Sequence, residues 1–115
     1  MHISDVRNFA MALSDVTEEP HHHFSSFRRC GRIFVTLPPG DEFLHIFLPE
    51  PLWKQALLMY PGFSEKLVWG ARVIGVRITL ASAESEAVLE LVQAAWESKA
   101  PAKPKARRSR TRRSE

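Results

Sequence analysis

Hydrophobic and polar positions recur with two periods along this chain, and the switches between them divide it into elements. Val6, Phe9, Ala10 and Leu13 fall at i, i+3, i+4 and i+7, which places one apolar stripe on a helix over 5–13 with Ser4 as its N-cap. The stretch Thr-Glu-Glu-Pro at 17–20 breaks that period. Pro20 biases Glu19 toward extended backbone, so a strand is expected to begin shortly afterwards. Residues 24–28 and 32–37 read as two strands joined through Arg29, Cys30 and Gly31, with Gly31 at positive φ. Pro38-Pro39-Gly40-Asp41 marks a turn ahead of a strand over 42–48. Pro49 and Pro51 close that strand. Proline is tolerated in the first turn of a helix, so 51–60 reads as a short helix with Leu52, Ala56 and Leu57 inward.

After Pro61-Gly62, strands are expected over 65–69 and 73–80. In the second of these, Ile74, Val76, Ile78 and Leu80 share one face, while Val73, Gly75, Arg77 and Thr79 share the other. Ser82 then caps a final helix with Glu84 and Glu86 near its start; Val88, Leu91, Val92 and Ala95 supply its buried face and Trp96 extends it. The expected order is α-β-β-β-α-β-β-α. Short connections favour antiparallel neighbours, so the fold class is α+β: a single two-layer sandwich, an antiparallel sheet with helices packed on one face.

The pattern ends near residue 99. Residues 1–99 form one domain, and 100–115 read as a disordered basic tail, because this segment holds no hydrophobic side chain larger than alanine and cannot bury enough surface to offset chain entropy. Charge follows the same division. Residues 1–98 carry eight Lys or Arg against twelve Asp or Glu, a balance of −4, whereas 99–115 carry eight basic residues against one acidic, a balance of +7. The overall +3 therefore describes the tail rather than the domain surface. No run approaches the roughly 18 apolar residues of a membrane span, and no secretory layout opens the chain, so a cytoplasmic protein is expected, nucleoid-associated if it binds DNA. Cys30 is the only cysteine; it has no internal disulfide partner, in keeping with a reducing compartment, and reads either as a hairpin residue or as a thiol activated by Arg29.

Candidate chemistry is sparse. Ser25 and Ser26 lie near His21, His22 and His23, and Glu18 and Glu19 are paired carboxylates. Yet there is no nucleophile elbow, no phosphate-cradling glycine loop and no dinucleotide fingerprint, so no catalytic residue and no cofactor are assigned and the chain reads as non-enzymatic. Alternate strand residues face one side, so His21 and His23 could share a metal ion with help from His45, Glu18 or Glu19; the other reading is a polar loop. Basic side chains on the strand regions, namely Arg28, Arg29, Arg32, Arg72 and Arg77, suit phosphate contact or form a solvated sheet face. Trp69 beside Arg72 suits base stacking or belongs to the core. The tail residues Lys103, Lys105, Arg107, Arg108, Arg110, Arg112 and Arg113 form a polycation whose binding would come from counterion release, or a solubilising extension.

Several stretches resemble one family. The run Val-Thr-Glu-Glu-Pro-His-His-His-Phe-Ser-Ser-Phe-Arg-Arg-Cys-Gly-Arg-Ile-Phe-Val-Thr-Leu at 16–37, then Trp69-Gly70, Gly75-Val76-Arg77-Ile78-Thr79-Leu80, Ala94-Ala95-Trp96-Glu97 and Lys99-Ala100-Pro101, are similar to the MmcQ/YjbR-like proteins. These are small bacterial domains described as double-wing-motif DNA-binding proteins. The resemblance covers residues 1–102 and implies a CyaY-like, or frataxin-like, fold, with the basic strand regions as the two wings. The long basic tail departs from the family pattern. The expected partner is DNA, or RNA, bound with little sequence preference by a monomer. The alternative is a small-molecule, metal or protein-interaction module on the sheet face, with His23, His45 and Trp69 near its pocket.

Overall fold

The computed structural model describes residues 1–101; the expected disorder of the tail and its seven basic side chains from Lys103 to Arg113 lie outside the described residues. Helix α1 (Ile3–Ala12) is followed by strands β1 (Val16–His21), β2 (Phe24–Arg29), β3 (Arg32–Leu37) and β4 (Phe43–Phe47). Helix α2 (Leu52–Met59), strands β5 (Ser64–Trp69) and β6 (Arg72–Thr79), a 3₁₀ turn at Leu80–Ser82 and helix α3 (Ser85–Ser98) complete the domain. One antiparallel sheet has the order β1-β2-β3-β4-β6-β5. The α+β class and the helix-on-sheet layering match the reading of the sequence.

The strand count is corrected from five to six. Residues 17–20, read as a pattern break, are part of β1, paired along its length with β2 from Val16↔Arg29 to His21↔Phe24. β1 is an edge strand, where a proline without an N–H is tolerated in the strand interior. Its side chains are mostly exposed, so no apolar alternation announces it. Both helix caps also move. The His2 N–H donates to the Asp5 carboxylate at 3.2 Å, so His2 rather than Ser4 caps α1. Ser82 donates to Thr79 O in the 3₁₀ turn, and Glu84 stands at the N-cap of α3.

Three tight hairpins shape the sheet. Cys30 and Gly31 both take positive φ, +51° and +83°, the type I′ signature whose twist matches the strands it joins. Two bulges follow. Phe34 is the extra residue where β3 slips against β2, and Ile74 where β6 slips against β5. Beside the second bulge, Gly75 admits no side chain, since a Cβ would lie 2.0 Å from Ile46 O and 2.9 Å from Leu48 N.

One face of the sheet is buried. Phe27, Phe34, Leu44, Ile46, Val76 and Ile78 meet Val6 and Ala10 of α1, Ala56 of α2, and Val88, Val92 and Ala95 of α3. The helices cover only that side. Alternation therefore sends Thr36, Phe43, His45, Phe47 and Arg77 to the other face, where Thr36 pairs with His45 and His45 with Arg77 across the strands. That uncovered face, and the sheet end where β3 and β6 begin, carry the groups considered next.

Candidate functional site

The five strand arginines do not form one surface. Arg28 donates to Ser26 Oγ at 3.1 Å and Pro20 O at 3.4 Å. The Arg29 guanidinium lies 3.7 Å from the centre of the Trp96 ring and donates to Trp96 O at 2.9 Å. Arg77 donates twice to Glu65 Oε2, at 2.9 and 2.7 Å, and lies 4.4 Å from the Phe43 ring centre. Arg32 and Arg72 differ from these three. Each is exposed at the start of its strand, and neither makes an ion pair or side-chain hydrogen bond among the described residues.

Topology brings those two together. β3 and β6 both run antiparallel to β4, between them, so both begin at the same end of the sheet. The first residue of the basic segment joins them: Lys99, just past the end of α3, lines with Arg32 and Arg72 a cleft of about 690 Å³. Trp53 of α2 and Trp69 at the tip of β5 form its aromatic walls. The one carboxylate in the lining, Glu50, is engaged by Lys54. Burial, and then the neighbouring Arg32, hold the Lys99 ammonium below its ordinary range.

A second hollow abuts the first. The His21–Phe24 corner faces Val68 and Trp69 at the diagonally opposite corner, as the coiling of a twisted sheet allows. Between them lies a cavity of about 270 Å³ on the uncovered face. Phe24, Phe47, Leu67, Val68, Trp69 and Ile74 make its walls apolar, and Thr36, His45, His21 and His22 supply its polar points. His45 is half-buried and contacts Phe24, with ring centres 5.9 Å apart. Burial, and then the charge of Arg77, push its pKa down, so its imidazole is neutral near pH 7 and offers one donor and one acceptor. Neither His45 nor Thr36 makes a side-chain hydrogen bond among the described residues. Phe47, Trp69 and Ile74 line both hollows, which makes them adjoining halves of one site.

Of the three expected pocket residues, His45 and Trp69 line this cavity, but His23 does not. It borders a shallow depression with Glu18, Glu19 and Pro20, because the chain turns at His22, where φ is +59°. The same turn removes the alternation that would have put His21 and His23 on one side. His21 contacts His22 instead, with ring centres 4.8 Å apart and the rings tilted by 59°, and no three His, Cys, Asp or Glu side chains among the described residues stand close enough to hold a metal ion. The serine hydroxyls are engaged: Ser25 Oγ donates to Glu18 Oε2 at 2.5 Å, and Ser26 Oγ to Glu19 O at 2.6 Å. Arg7 also binds Glu18 through Nε at 3.0 Å, and this bond chiefly holds the Glu18 carboxyl below its ordinary range. Cys30 is exposed at its hairpin tip.

Trp69 is 68% exposed, which settles its placement outside the core. Lys99, Trp53 and Thr36 were not singled out from the sequence. Alternation from buried Val35 would have placed Thr36 on the open face; Lys99 and Trp53 carry no local signal, since what joins them is the packing of α2 and α3 on the sheet. No helix among the described residues is long and apolar enough to cross a membrane. In comparisons with known proteins, no family model, curated protein or solved structure matches the chain.

Proposed function

We propose that this protein binds nucleic acid, DNA in the first instance, without catalysing a reaction on it, and with little preference for sequence. The observation that carries this reading is the convergence of Arg32, Arg72 and Lys99, from three separate parts of the chain, on one cleft beside exposed Trp69. The domain's balance of −4 does not oppose it. Charges more than about 10 Å apart are largely screened at physiological salt, so a phosphate in the cleft feels the three cations ahead of the distant carboxylates. The basic sequence from Lys103 to Arg113 follows Lys99 within a few residues. Counterion release by both parts would dominate affinity. The similarity of 16–37 and the later stretches to the double-wing proteins supports the same reading, with Arg32 and Arg72 as the wing residues left free for phosphate.

Salt titration tests it. With about five phosphate contacts, log affinity for duplex falls against log salt with a slope of roughly −4.5. Replacing Arg32 and Arg72 together by alanine reduces that slope by about 2, and ending the chain after Pro101 abolishes most binding at moderate salt. Unchanged affinity and slope in both variants would defeat the reading.

A further inference from the structure

We propose that the cavity on the open sheet face seats one unpaired nucleobase while the adjoining cleft holds its phosphate, so that the protein takes single strands in preference to duplex. This rests on the nucleic-acid reading above and assigns its substrate class. Three observations carry it.

The first is adjacency. Phe47, Trp69 and Ile74 line both hollows, so an occupant that fills both has a flat apolar part and, next to it, an anionic part. The second is the cavity's chemistry. Its walls are aromatic and aliphatic, and its polar points are groups with unused hydrogen-bonding capacity: the Thr36 hydroxyl and the neutral His45 imidazole. A nucleobase presents this combination, two apolar faces and an edge of donors and acceptors, and every base has a face to stack, which makes such binding tolerant of sequence. The third is size and access. At about 270 Å³ the cavity lies just under the range of pockets for drug-sized ligands, room for a single ring system. In a duplex each base is stacked and paired, and bringing one out costs a few kcal/mol; a single strand presents its bases without that cost. The exposure of Trp69, 68%, leaves a platform at the junction of the two hollows, where base meets backbone.

The test uses the full chain and tryptophan fluorescence. It is titrated with oligothymidylate, with an abasic phosphodiester strand of the same length and charge, and with a duplex of that length. Oligothymidylate binds about tenfold tighter than the abasic strand, the effect of one stacked base, and tighter than duplex. Trp69→Ala, a change at an exposed position, removes the difference, so that the variant binds oligothymidylate and the abasic strand with the same affinity. Thr36→Val keeps the volume, removes the hydroxyl and shifts the relative affinities of the four homopolymers severalfold. An oligouridylate arm distinguishes ribose from deoxyribose strands, and base-dependent binding of either supports the assignment. Equal binding of base-bearing and abasic strands, or a duplex preference, overturns the cavity assignment while the cationic reading stands. If no strand binds, both are overturned.

Discussion

The guanidinium of Arg29 packs on the ring of Trp96, 3.7 Å from the ring centre, while Nη1 donates to the carbonyl of that same tryptophan at 2.9 Å. The indole Nε1 in turn donates to Ser14 O at 2.9 Å. One pair of side chains thus ties β2, the end of α3 and the loop between α1 and β1, elements up to 82 residues apart in sequence.

Arg29→Ala removes the cation–π contact and a charge-assisted hydrogen bond, and the Trp96 carbonyl keeps only the Lys99 N–H, at 3.1 Å, as donor. The expected cost is roughly 2–3 kcal/mol, seen as a fall in Tm on the order of 10 °C. Measured well below that Tm, nucleic-acid affinity stays within about twofold of the parent. Arg32→Ala with Arg72→Ala gives the reverse, unchanged Tm and weakened binding. Thermal melting and binding on the same samples separate the two kinds of arginine, and a large affinity loss in Arg29→Ala would place it at the interface after all.

Gly75→Ala tests the close approach of β4 and β6. Its Cβ would collide with backbone atoms, Ile46 O at 2.0 Å and Leu48 N at 2.9 Å, which cannot yield without opening the centre of the sheet. The expected loss is roughly 2–4 kcal/mol in urea unfolding. Gly62→Ala, with nothing within 4 Å of the added methyl, changes stability by no more than about 0.5 kcal/mol. Equal effects at the two positions would contradict the strand spacing.

His45 makes stability depend on pH. Burial and then Arg77 lower its pKa in the folded protein, so below the ordinary histidine value of about 6.5 the unfolded chain binds a proton that the folded chain resists. This part of the stability is present above about pH 6.5 and is lost as pH falls toward the lower folded value. The charged or titratable groups facing it are Arg77, itself paired with Glu65, and His21 and His22 across the cavity. His45→Gln therefore flattens the urea midpoint between about pH 7 and pH 5 relative to the parent. An identical pH profile in parent and variant would show that another group governs this window. The Arg7–Glu18 pair acts in a lower range, its contribution present above the ordinary glutamate value of about 4.3 and lost in acid.

Local pattern was enough for the α+β class, the three helices, five of the six strands and the Cys30-Gly31 hairpin. Apolar periodicity, proline and glycine placement, and turn chemistry all act over a few neighbouring residues. Counting charges also separated an acidic domain from a basic tail. That residues 16–21 pair as an edge strand was settled by the three-dimensional fold, where Pro20 is tolerated because one side of the strand has no partner. The same holds for the site. Arg28, Arg29, Arg32, Arg72 and Arg77 are alike as letters, and what divides them is the presence of Trp96, Phe43, Glu65 or Ser26 within reach in the fold. Trp69 is exposed rather than buried because it lies at the tip of an edge strand, and Lys99 meets Arg32 only because α3 packs back across the sheet. Such contacts join residues tens of positions apart, and their energies depend on burial and distance, which no local pattern encodes.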